Sequence, residues 1–156
     1  MSDIDEQPRV ELWAASLPWP GRFAIHSWLL IIHQTETSCG GTSRWEVWHH
    51  ANVGGIAWGH IHRDLFPPHA AIGGGPARMI TTFQHATATI LAARIEQSPH
   101  NYPHRDHYRV FPGPNSNTYV QWLLSDMRQL PRRAIGRSYR AEPKKDRDLL
   151  TNQTTR

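Results

Sequence analysis

The stretch Phe111–Leu124, FPGPNSNTYVQWLL, runs from a strand end through a tight turn into a helix. Its first half cannot be regular structure, because Pro112 and Pro114 frame Gly113 and neither proline can donate a backbone hydrogen bond. Beyond it, Tyr119, Trp122, Leu123 and Met127 recur at helical spacing and predict a helix over about Asn117–Gln129, stopped by Pro131. Asn115, Ser116 and Asn117, at the junction, are all competent N-caps. A helix start also presents unpaired N–H groups and the positive end of the macrodipole. Ser116 therefore has two readings. It caps the helix, or it is a nucleophile whose own N–H serves an oxyanion hole. A serine hydroxyl needs a base, and the base has to come from elsewhere in the chain.

Working outward, Tyr108–Phe111 reads as a short strand leading into that turn. Upstream, Phe23–His33 (FAIHSWLLIIH) is apolar on both faces and rich in β-branched and aromatic residues, which predicts a central, buried strand. His26 lies inside it, either a satisfied core histidine or the missing base. Val10–Ala15, Arg44–His50 and Met79–Phe83 read as further strands, and Ile56–His62 as a weaker one. Gln34–Ser43 and the Pro/Gly-rich Asp64–Pro76 read as loops. Gly73–Gly75 lacks the lysine of a phosphate loop and reads as a flexible turn beside a cleft. Gln84–Gln97 switches to helical period, with Ile90, Leu91 and Ile95 on one stripe and Ser98-Pro99 as its end. The order predicts an α+β fold, a small antiparallel sheet with two packed helices.

The chain has 156 residues, enough for one domain with a real core. Seven tryptophans, four tyrosines and four phenylalanines supply the area to bury. The expected division is a flexible N-terminus over 1–8, one domain over 9–139 and a basic, disordered tail over 140–156. The formal net charge is +4, yet Arg128–Asp148 alone carries +5, which leaves −1 on the remainder. The basic excess belongs to the C-terminal part, as a solvated extension or a weak contact for acidic surfaces, nucleic acid among them. No stretch is long and apolar enough to span a bilayer, and the acidic start carries no secretory core, so a cytoplasmic protein is expected. The single cysteine, Cys39, excludes an internal disulfide framework.

Eleven histidines raise the question of a metal. His60 and His62 would share a strand face, while His100, His104 and His107 would need a helix that Pro103 opposes. No zinc pattern is completed, so neither metal nor other cofactor is expected. Arg109, beside Tyr108, could hold an anionic substrate group or form a rim salt bridge.

LPWPGRFAIHSW (17–28), RWEVW (44–48), YRVFPGPNSNTYVQW (108–122) and AIG (134–136) together resemble domain of unknown function 3750, whose signature reads PGPNSNTF. Tyr119 replaces the usual Phe. A wider resemblance is to permuted papain-like proteins of the NlpC-type, PPPDE and lecithin:retinol acyltransferase-like branches. These carry His on an early strand and the nucleophile late, at a helix N-terminus; the PPPDE branch reads Asn-Cys-Asn-Thr-Phe there. This resemblance implies a permuted papain-like fold and a hydrolase or acyltransferase acting on an amide, thioester or ester of an acyl, peptide or lipid substrate. It implies Ser116 at the nucleophile position, His26 as base and Glu46 as the residue orienting it, with His49 and His50 as alternatives. Asn115, Asn117, Tyr108 and Arg109 would contact substrate. Serine ionises far less readily than cysteine, so the exchange equally fits a non-catalytic binding module that keeps the cleft.

Overall fold

The computed structural model describes residues 7–33 and 41–140. Most of the expected N-terminal arm, residues 34–40 of the 34–43 loop with Cys39, and the basic tail after Arg140 lie outside the described residues.

Eight elements follow one another: β1 (Arg9–Ser16), β2 (Ile25–Ile32), β3 (Thr42–Val47), β4 (Ile56–Trp58), β5 (Ile61–Arg63), β6 (Arg78–Phe83), α1 (His85–Asn101) and α2 (Ser116–Leu124). The strands form one antiparallel six-stranded sheet in the order β4-β5-β3-β2-β1-β6. With two helices packed on it, the chain is α+β, as its pattern predicts.

Alternation along the central strands sorts two layers. Val10 and Leu12 of β1, Ile25, Leu29 and Ile31 of β2, and Trp45 and Val47 of β3 pack against both helices. From the helices come Leu91 and Ile95 of α1 and Tyr119, Val120, Leu123 and Leu124 of α2. The opposite face carries Ala15, Trp28 and Leu30, joined by Ile72 and Ala77 from the segment between β5 and β6. That segment has no regular secondary structure, yet it covers the sheet as a third layer. This explains why β2 is apolar on both faces.

Several elements depart from expectation for local reasons. Phe23 lies outside β2 and its ring is exposed; its carbonyl accepts from Arg133. Ile56–His62 is two short strands, because Gly59 turns with a positive φ. The first helix continues through Pro99 to Asn101: Ser98 and Pro99 are buried, and the Ser98 carbonyl still accepts from Tyr102 N–H. Its buried stripe is Ala88, Leu91, Ala92 and Ile95, with Ile90 turned to solvent. The second helix stops at Leu124, well before Pro131. Ser125 takes a positive φ, and the Gln121 side chain binds Ser125 O, Arg128 O and Leu130 N–H in place of further turns. Tyr108–Phe111 joins no strand, since its carbonyls and amides bind the turn ahead of α2 instead.

Candidate functional site

Among the described residues, the start of α2 is the most heavily tied helix end. Asn115 is the N-cap, and its Oδ1 accepts from the N–H groups of Asn117 (3.0 Å) and Thr118 (3.2 Å). Thr118 Oγ1 accepts from Asn115 N–H at 3.1 Å and donates to Gly136 O at 2.7 Å, closing a capping box. Asn115 Nδ2 donates to Val110 O and Ile135 O. Ser116 is therefore the first helical residue and not the cap. It is buried, and among the described residues neither its N–H nor its hydroxyl has a hydrogen-bond partner.

Asn117 seats the helix on the sheet. Its Oδ1 accepts from Ser27 Oγ at 2.7 Å, and its Nδ2 donates to Ile25 O at 2.8 Å and to Ile135 O at 2.9 Å. The N–H of Ile25 donates to Arg133 O. These backbone groups lie on the side of β2 that would bond β3, but the β2–β3 pairing ends at Leu29–Trp45. The N-terminus of α2 thus fills the gap where the two strands part, bonded to the residues on either side of His26.

His26 projects to the opposite face from Ser27. Its Nε2 lies 2.6 Å from Glu46 Oε2, with both side chains buried. Arg44, fully buried, donates from Nη2 to the same Oε2 at 2.9 Å, and its Nε stands 2.7 Å from Oε1 as an ion pair rather than an aligned hydrogen bond. The Arg44 guanidinium lies 4.0 Å over the Trp28 ring and donates from Nη1 to Pro67 O and Ala70 O. Burial by itself would raise the Glu46 pKa. The hydrogen bond and charge of His26, and the charge of Arg44, outweigh it and hold the carboxyl below its ordinary 4.5. An ionised carboxylate only accepts, so Nε2 donates to it. Nδ1 has no hydrogen bond among the described residues. The ring is steered by Trp28 and by Trp48, which meets it edge-on at 5.5 Å.

Of the sequence-predicted residues, the fold brings His26 to Glu46, and Asn115, Ser116 and Asn117 to one helix end, where Asn117 bonds the residues on either side of His26. No hydrogen bond joins Ser116 to His26. His49 packs at a tilt against His50 and Trp48 rather than bonding His26, and burial is the main cause holding its pKa below the usual histidine range. Tyr108 and Arg109 line a separate cavity of about 340 Å³ with His104, His107 and Tyr139. Neither Ser116 nor His26 lines it. Arg44 and Ser27 were missed by sequence reasoning. The alternation in RWEVW, which puts Arg44 on the Glu46 face, was the available signal for the first. Among the described residues no three His, Cys, Asp or Glu side chains group as metal ligands, and no helix is long and apolar enough to cross a membrane.

Fold and site define an α+β domain with a carboxylate-held histidine on β2 and a helix start anchored to the residues flanking it. The model for the family described as protein of unknown function DUF3750 matches residues 7–139, most of the chain. The chain belongs to that family. No curated protein and no solved structure matches it.

Proposed function

We propose that the protein is a permuted papain-like hydrolase or acyltransferase in which Ser116 attacks an amide, thioester or ester carbonyl. The observation that carries this reading is the buried His26–Glu46 pair at 2.6 Å, on a strand whose flanking residues Ile25 and Ser27 bond Asn117 of α2. Glu46 fixes the ring and stabilises the imidazolium that forms when Nδ1 takes the Ser116 proton. The unpartnered Ser116 N–H supplies an oxyanion donor, reinforced by the helix dipole. Asn115 and Asn117, whose side chains are spent on capping and anchoring, position the helix end. Arg109, in the neighbouring cavity, is suited to an anionic group of the substrate.

A thiol at position 116 tests the geometry directly. In a Cys39→Ser background, the Ser116→Cys protein is alkylated with iodoacetamide across pH. A thiol facing His26 and the helix start titrates below its ordinary value of about 8.5, and His26→Ala raises it again. A thiol that titrates at or above that value in the folded protein sinks the dyad. It would then favour a second reading, a binding module on a hydrolase scaffold, which the missing Ser116–His26 hydrogen bond supports.

A further inference from the structure

The same end of the molecule carries an exposed surface that the site chemistry does not use. Trp19 and Phe23 are 81% and 70% exposed in the 17–24 turn; Val110 and Phe111 are 66% and 74% exposed in the turn before α2. Large apolar side chains displayed this openly in one region mark an interaction surface. Both turns are held from within. Leu17 N–H donates to Ala24 O, Gly21 N–H to Pro18 O, and Arg109 N–H to Pro114 O. The 133–135 segment ties them together: Arg133 donates to Phe23 O and Arg22 O, while Ile135 O accepts from Asn115, which also holds Val110 O. Asn117, bonded to Ile25 O and Ile135 O, completes the connection.

The charge on this end has one sign. Segments 17–24, 108–117 and 131–140 contain no aspartate or glutamate, and Arg22, Arg109 and Arg132 are exposed. Protruding Trp and Phe side chains ringed by arginines match an anionic bilayer surface. Aromatic rings settle at the headgroup level and the guanidiniums pair with lipid phosphates and carboxylates. A second copy fits poorly, because a two-fold interface would set these arginines against themselves.

We propose that Trp19, Phe23, Val110 and Phe111, with their surrounding arginines, dock the protein onto anionic lipid bilayers. The inference uses neither Ser116 nor His26 and stands apart from the acyl-transfer reading. The full chain is sedimented with phosphatidylcholine vesicles with and without phosphatidylserine. Binding is expected with phosphatidylserine, weakening as salt rises. The double variant Trp19→Ser/Phe111→Ser keeps every charge and every backbone bond of both turns. It should melt like wild type yet bind at least roughly tenfold more weakly, the order expected from losing two inserted rings. Folded wild type left in the supernatant overturns the proposal. So does equal binding by the variant, which would assign attraction to charge alone, and so does equal binding to both vesicle types. A wild-type dimer that the same two substitutions dissociate, with no vesicle binding, would assign the surface to self-association instead.

Discussion

Glu46 is the residue on which the electrostatics of the second sheet face turn. It is fully buried, accepts from His26 and Arg44, and has its pKa held below 4.5 against the effect of burial. A depressed carboxylate contributes stability that is complete above the unfolded value and lost as pH falls through the folded one. Unfolding midpoints in urea should therefore fall below about pH 4.5, and Glu46→Gln should flatten that acid limb. At neutral pH the same substitution leaves Arg44 buried without its counter-charge, a loss of about 3–5 kcal/mol. An unchanged midpoint at pH 7 would mean that water reaches the guanidinium. His26 and Glu46 were both picked out from the sequence as site residues. Arg44 was not, because its role comes from carbonyls of Pro67 and Ala70, more than twenty positions away in the chain.

At the scale of elements, the start of α2 is set by Asn115. Its side chain serves two helical N–H groups and two carbonyls, so truncation removes a cap and orphans buried partners. Asn115→Ala should cost about 2 kcal/mol or more in urea unfolding. Gly136 lies against that amide at a positive φ, and a Cβ there would collide with it. Gly136→Ala should destabilise through the same contact, and the double variant should lose less than the sum of the single losses. Strict additivity would show that the two positions act separately. The capping chemistry was legible in PNSNT, since Asn and Ser lead the cap preference. The helix C-terminus was not. Gln121 looks like an ordinary surface residue until its amide is seen closing the 125–130 loop.

For the molecule as a whole, the arrangement in three layers depends on how closely the segment between β5 and β6 lies on the sheet. Gly74 is pressed against the carbonyls of Ser16 and Leu17, where a Cβ has no room. The Gly-Gly-Gly run is thus a site of close approach and not a free turn. Gly74→Ala should cost about 1–3 kcal/mol, as overpacking does. It should also raise hydrogen exchange in residues 64–77 while leaving α1 and α2 protected. Exchange that rises equally in the helices would show that the layers unfold as one unit.

The sequence by itself determined the α+β class, the strands β1, β2, β3 and β6, the existence of both helices and the capping motif. These follow from period, β-branching and cap chemistry, which act over a few residues. It also held the family, because PGPNSNT is a contiguous signature. The tertiary structure alone decided the rest. Period-two alternation says that His26 and Ser27 face apart, but not which layer covers each. That needed the helices on one side and an irregular segment on the other. The gap between β2 and β3, the Asn117 anchor and the neutralisation of Glu46 by Arg44 are likewise contacts between distant parts of the chain. Their energies come from burial and partner geometry, which local pattern does not encode.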